Sequence, residues 1–246
     1  MGALHAGHAA LFRSATQTNA VVASSIFINP LQFENSEDLA KYPRTPDRDI
    51  ELAAATGVTH LWMPRYEEIY PNEVKILSAG ALGNIYEGAS RPGHFDGVVT
   101  VVRRLFDLVK PKQAIFGEKD FQQLTLIRKI ADSVEIIAVP TVREIDGLAM
   151  SSRNVRLSET GRAASTIIFQ ALTAASLKES LLSASTTLRE TLRREGLFSL
   201  DYADIIDESD FAPATVTTQM KRAIVAGWID GVRLIDNMAM KNVVLP

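Results

Sequence analysis

Short apolar runs alternate with helical patterns from the N-terminus to Pro140, and this alternation limits the fold more than any other feature of the chain. A helix is predicted from about Gly7 to Thr18. The stretch from Val21 to Ile28 is apolar with little alternation, which predicts a buried parallel strand, and Asn29-Pro30 ends it. The pattern then predicts a helix over Pro46–Thr56 and a strand over Val58–Met63, closed by Pro64. Gly80 to Gly97 is glycine-rich and reads as loop. A helix follows over Val98–Leu108, a strand over Gln113–Phe116, a helix over Phe121–Asp132 and a strand over Val134–Pro140. Strand and helix in turn indicate an α/β domain built on a parallel sheet, with ligands expected where the strands' carboxyl ends meet helix N-termini. After Gly147 the texture changes to a long helix over Ser158–Leu182, another over Ser185–Glu195, and strands at Tyr202–Asp207 and Ala223–Ile229. The expected boundary lies at Asp146-Gly147, giving a domain over residues 1–146 and a smaller α+β domain over 147–246.

Composition removes several classes of function. With 246 residues the chain can bury one large core or two modest ones. It has no cysteine, which excludes disulfides, thiolate metal sites and a cysteine nucleophile, and fits a reducing, cytoplasmic setting. The net charge of −3, with no dense basic stripe, gives no reason to expect nucleic acid as a partner. No apolar run reaches the ~18 residues of a membrane span, so no membrane partner is expected.

The chemistry concentrates at the start. Met1-Gly2-Ala3-Leu4-His5-Ala6-Gly7-His8 opens directly into an apolar helical pattern, so His5 and His8 stand at a helix N-terminus, where unpaired N–H groups and the macrodipole attract anions. Three residues apart, the two imidazoles can face one way. Two such donors over an anion site suit a nucleoside triphosphate attacked at its α-phosphate, where positioning and charge stabilisation carry the rate. Between a predicted strand and helix lies Gly117-Glu118-Lys119-Asp120-Phe121-Gln122-Gln123, in which Lys119 can meet phosphate and Asp120 a ribose hydroxyl. Met150-Ser151-Ser152-Arg153-Asn154 offers two hydroxyls and a bidentate guanidinium for a triphosphate, on a junction loop suited to a lid. Asn29 and Gln32, at a strand's end, present neutral amides to a polar substrate. Arg91 lies in a glycine-bearing loop and can meet a carboxylate, and His60 reads as structural. Walker, GxGxxG and HExxH signatures are absent.

Together MGALHAGH, SIFINPLQF, KYPRT, EGASRPGHF, GEKDFQQL, DGLAMSSRN and RLIDN resemble the pantoate–β-alanine ligase family from residue 1 to about Asn237. The HxGH element alone is shared across a nucleotidyl-transferase superfamily. The resemblance implies a Rossmann-like domain, a smaller C-terminal domain, a homodimer, and ATP with Mg²⁺. It implies that pantoate attacks the α-phosphate of ATP, forming pantoyl adenylate and pyrophosphate, and that β-alanine then displaces AMP. Carried over by motif, His5, His8 and Lys119 match phosphate-binding catalytic positions. Asp120 with Gly117 matches a ribose clamp, and Met150 lies near the adenine. Ser151, Ser152 and Arg153 match the segment that closes on the triphosphate. Gln32 and Gln123 match pantoate-binding glutamines, with Asn29 beside them. Met1 falls where the family has a ligand-facing peptide N–H. The resemblance also implies a strand and a Pro-Thr pair ahead of Met1, so the sheet is expected to lack its opening strand here. The link Lys129–Val134 is shorter than is typical. Two other readings stand beside this one: a different HxGH nucleotidyl-transferase that releases a nucleotide-linked product, and a truncated chain that binds ATP without turnover.

Overall fold

A computed structural model describes residues 2–33 and 36–240 of the chain. The chain divides into two compact units, Met1–Thr141 and Val142–Pro246. In the first unit the order is α1 (Ala6–Thr18), β1 (Ala23–Ser25), α2 (Ser36–Lys41), α3 (Pro46–Ala55), β2 (His60–Trp62), α4 (Tyr66–Ile69), α5 (Glu87–Ser90), α6 (His94–Val109), β3 (Gln113–Gly117), α7 (Phe121–Ile130) and β4 (Glu135–Val139).

The strands form two parallel pairs. Ala23 lies opposite His60 in the first, and Gln113 to Gly117 run beside Glu135 to Val139 in the second. Helix α1 touches both. Its buried face repeats at Ala9, Phe12 and Ala15, the spacing of one helical stripe. Phe12 joins Leu4 and Ala53 in a core lined by Ile26, Leu52, Val58 and Leu61. At its other end the Asn19 amide donates to Ala15 O and to Gln113 Oε1, both at 3.0 Å, tying the helix end to β3. Helices α6 and α7 supply much of the remaining core, with Val98, Val99, Leu124, Leu126 and Ile127 at most 2% exposed. Each such side chain contributes about 2 kcal/mol by leaving water.

Two expectations for this unit change. Of the apolar run from Val21 to Ile28, only Ala23–Ser25 pairs as strand. Ile26 N still donates to Trp62 O at 2.8 Å, and the chain then leaves the ladder for the Asn29 turn. The glycine-rich stretch Gly80–Gly97 is not simply loop. It holds a 3₁₀ turn at Ala81–Asn84, helix α5 and the first turn of α6, which starts at His94 rather than Val98. Glycine here serves close packing: a Cβ on Gly88 would run into the Gly83 carbonyl, and one on Gly97 into the backbone of Leu31 and Gln32.

The second unit contains α8 (Glu159–Ala164), α9 (Ile167–Ser176), α10 (Leu181–Leu192) and the strands β5 (Ser199–Asp207), β6 (Lys221–Ile229) and β7 (Val232–Ala239), an antiparallel sheet in the order β5-β6-β7. Ile168, Ala171, Leu172 and Leu188 pack on Ala223, Val225, Ile229 and Leu234. The expected single helix over Ser158–Leu182 is broken between α8 and α9. Ser165 Oγ donates to Arg162 O and Thr166 Oγ1 to Ala163 O, so side-chain hydroxyls occupy carbonyls at the point of interruption. Strand β7 is additional to the strands read from the sequence. It is joined to β6 by Asp230-Gly231, with φ of +53° and +71°, the two left-handed positions of a type I′ turn. No helix among the described residues is long and apolar enough to cross a membrane.

Candidate active site

His5 is the N-cap of α1, extended at φ −141°, ψ 178°. Its Nδ1 accepts the Gly7 N–H at 3.1 Å, and the His5 N–H in turn donates to His8 Nδ1 at 3.2 Å. The two imidazoles thus form a reciprocal cap, the arrangement that Ser and Glu side chains usually make. Their ring centroids are 4.1 Å apart, inclined at 50°. Because each Nδ1 accepts, the proton of each neutral ring sits on Nε2, and the cap leaves that N–H to serve a ligand. Burial pushes His8 down to about 3, with His5 adding to the effect. Burial and then Lys119 lower His5, against an opposing pull from Asp120. Both rings are therefore neutral donors at pH 7, at the positive end of a helix.

The same couplings bring Lys119 and Asp120 to the histidine pair. They lie in the 3₁₀ turn Glu118–Asp120 that follows β3, and Lys119 Nζ is 3.7 Å from Asp120 Oδ1. Gly117 precedes them. A Cβ there would meet only Leu11 Cδ2, at an ordinary 3.8 Å, so packing within the protein does not require glycine at this position.

Gln32 ends the 3₁₀ turn Pro30–Gln32 beyond β1. Three features hold that turn. Asn29, 1% exposed, caps it: its Oδ1 accepts the Leu31 N–H at 3.4 Å and the Tyr70 hydroxyl at 3.1 Å, while its amide donates to Gly97 O at 3.0 Å. Gly97 lets α6 approach without a side chain between them. His94 Nδ1 donates to Gln32 O at 2.8 Å, and His94 Nε2 is 3.1 Å from Arg91 Nη1. Much of the Asn29 side chain is thus engaged with the protein itself. Sequence reasoning missed Gly97 and His94, whose role lies in pairing with a turn more than sixty residues earlier, because both fall in the stretch read as loop ahead of Val98.

Gln123 stands in the first turn of α7, just beyond Lys119 and Asp120. Its neighbour Gln122 is 5% exposed and belongs to the scaffold: it donates to Leu82 O and Ile85 O, both at 2.8 Å, and accepts from Glu87 N at 3.1 Å.

Met150, Ser151, Ser152 and Arg153 belong to the second unit. The segment leaves a bridge between Arg143 and Ala149, and Met150 N donates to Val142 O at 2.9 Å. Ser151 Oγ accepts the Arg153 N–H at 3.2 Å, and Asn154 Nδ2 donates to Ala149 O at 3.1 Å. Arg143 anchors the bridge by a bidentate pair with Asp236, at 2.5 and 3.0 Å. Met1 lies outside the described residues.

Among the described residues there is no group of three or more His, Asp or Glu side chains arranged to hold a metal ion. The donor set in the first unit suits a phosphorylated ligand: neutral N–H donors at a helix N-terminus, with an ammonium whose charge is felt at both rings.

A family model described as pantoate-beta-alanine ligase matches residues 1–239. The pantothenate synthetase of Acidothermus cellulolyticus is 45% identical over 254 residues, covering 98% of this chain and 84% of that protein. The crystal structure of pantothenate synthetase from Thermus thermophilus matches with a TM-score of 0.91 at 43% identity, over 97% of this chain and 90% of that one. A crystal structure of pantoate-beta-alanine ligase from Francisella tularensis, complexed with beta-gamma ATP and beta-alanine, matches with a TM-score of 0.79 at 35% identity, over 97% and 87% of the two chains.

Proposed function

The chain belongs to the pantoate–β-alanine ligase family, and we propose that it joins pantoate to β-alanine with ATP by way of a pantoyl adenylate. A pantoate carboxylate oxygen attacks the α-phosphorus, the bond to the bridging oxygen breaks, and pyrophosphate leaves. The β-alanine nitrogen then attacks the acyl carbon, the acyl–phosphate C–O bond breaks, AMP leaves, and the nitrogen gives up a proton.

Negative charge grows on the phosphate oxygens in the first step, so donors fixed beforehand in a low-dielectric site stabilise that step most. The observation that carries the proposal is the neutral His5–His8 pair, with both Nδ1 atoms consumed and both Nε2–H groups left to donate. Lys119 supplies positive charge beside it. Asp120 and the Gly117 backbone hold the ribose, and Met150 meets the adenine. Gln32 and Gln123 orient pantoate through neutral amides, which leave the attacking carboxylate its charge, and Asn29 holds Gln32 in place. Ser151, Ser152 and Arg153 close on the triphosphate. Mg²⁺, which the described side chains do not gather to hold, would be carried by the ATP phosphates and would neutralise part of their charge. The working form is a cytoplasmic homodimer, with the unit that ends at Thr141 binding ATP and pantoate and the unit that begins at Val142 acting as the lid domain.

The test is pantoate-dependent exchange of labelled pyrophosphate into ATP, without β-alanine. Exchange is expected, followed by stoichiometric AMP when β-alanine is added. A folded protein with no exchange, or release of a nucleotide-linked product, would overturn the proposal.

A further inference from the structure

Asp49 is a carboxylate, 1% exposed, for which the reaction above has no use. It lies early in α3, one turn beyond Thr45. Its Oδ2 accepts the Ala3 N–H at 3.0 Å, and its Oδ1 accepts the Leu4 N–H at 2.7 Å and the Thr45 hydroxyl at 2.9 Å. The Asp49 N–H donates back to Thr45 O at 2.9 Å. A single buried carboxylate thus grips two successive peptide groups of another segment.

The gripped segment leads straight into the histidine pair. Ala3 has φ +50°, a left-handed conformation that residues with a Cβ seldom adopt unless the surroundings impose it. The next residue, Leu4, is packed into the core beside Ala53 of α3. The N–H after that belongs to His5 and is the one that orients the His8 ring through Nδ1. Fixing the peptide planes at Ala3 and Leu4 therefore fixes the direction in which His5 enters α1 and the aim of both Nε2–H groups. A neutral side chain could fill the volume. Accepting from two neighbouring N–H groups and a hydroxyl at once calls for a group with acceptors only, which an ionised carboxylate is.

We propose that Asp49 is a positioning residue for the His5–His8 pair, acting through the Ala3–Leu4 backbone. This rests on the reading of that pair as the phosphate-binding donors.

The test uses the full chain, with Asp49→Asn as the first variant. The amide keeps the volume but turns an N–H toward one of the two backbone donors. The kcat of pantoate-dependent ATP–pyrophosphate exchange is expected to fall about 100-fold, the usual scale for an ångström-level misplacement. The KM for pantoate should stay within about twofold, because the pantoate amides are untouched. Nitrogen-15 spectra of the imidazoles supply a readout that plain destabilisation would not move. Wild-type His5 and His8 should both show the Nε2–H tautomer, and Asp49→Asn should show mixed tautomers in a folded chain. If Asp49→Asn does not fold, Thr45→Val, which exchanges the hydroxyl that donates to Oδ1 for a methyl, takes its place with an expected loss of about tenfold in kcat. An active wild type with unchanged kcat and unchanged imidazole spectra in the variant would overturn the role of Asp49 alone. So would a loss that merely tracks the unfolded fraction. A wild type with no exchange would overturn the reaction itself and this proposal with it.

Discussion

Replacing Gly97 by alanine puts the smallest possible side chain where α6 meets the Pro30–Gln32 turn. The new Cβ would stand 2.7 Å from Gln32 N and closer still to the Leu31 carbonyl, whereas ordinary contact begins at 3.4 Å. All the obstructing atoms are backbone, so no side chain can swing aside, and helix and turn must part by at least about 0.7 Å, the difference between those two distances. The Asn29–Gly97 bond, at 3.0 Å, lengthens with the separation, and the Gln32 amide moves with the turn. Displacement of a positioned group by about 1 Å costs on the order of 100-fold. The expected fall in kcat/KM for pantoate is therefore about 10- to 100-fold, or about 1.4 to 2.7 kcal/mol of transition-state stabilisation. Stability should change less. Overpacking costs about 1–3 kcal/mol, and removing a helical glycine returns about 1 kcal/mol. The assay is ATP–pyrophosphate exchange across a pantoate titration, paired with thermal unfolding. Gly196→Ala is the control, since a Cβ there meets nothing within 4 Å. A Gly97→Ala enzyme with kcat/KM for pantoate within about twofold of wild type would refute the claim that this approach seats Gln32.

Three further outcomes are expected. The unfolded chain protonates His8 near pH 6.5, but the folded chain does so only near 3, so the unfolded state binds more protons in between. The resulting stability is complete above about pH 6.5 and falls toward pH 3, by at most about 1.4 kcal/mol per pH unit. His8→Gln should flatten that fall in urea titrations, and an unchanged profile would contradict the burial argument. Gln122→Ala strips partners from Leu82 O, Ile85 O and Glu87 N and should cost about 3 kcal/mol, whereas Gln123→Ala should leave the melting temperature alone and weaken pantoate use. Equal behaviour of the two variants would show that the scaffold and site roles are misassigned. Asp236→Ala leaves Arg143 without its bidentate partner and should destabilise by about 3 kcal/mol in chemical denaturation, and a loss below about 1 kcal/mol would count against that pair as the anchor of the bridge.

The parts of this molecule that were legible in the sequence are those written in neighbouring residues. His5 and His8 stand at the head of an apolar helical repeat, and the helix N-terminus follows from that alone. Gly117 to Asp120 sit between a strand pattern and a helix pattern, which locates their turn. The tertiary partners were not legible. Gln122 and Gln123 are identical side chains side by side, and only the 82–87 segment, some forty residues away, decides which one is buried. The break at Ser165-Thr166 was hidden because apolar periodicity continues through it, while the competition between hydroxyls and backbone is invisible to periodicity. Strand β7 could have been read, because Asp230-Gly231 between apolar runs is a strong hairpin signal. Asp49 could not, because an aspartate in the first turn of a helix has an adequate local explanation in the helix dipole.

The Asp230-Gly231 turn also bears on how the chain reaches this structure. It lets β6 and β7 zip from a two-residue loop, so the sheet of the second unit starts from the most local pairing a chain can make. Among the described residues of the first unit the strands pair less locally: β1 must wait for β2 across α2 and α3, and β3 for β4 across α7, because parallel strands need a crossover. Local pairing closes quickly and long crossovers slowly. During synthesis the slow half leaves the ribosome first and the fast half last, which evens out their completion. The slow half also carries the histidine pair, so His5 and His8 are held in their final places only once those crossovers have closed.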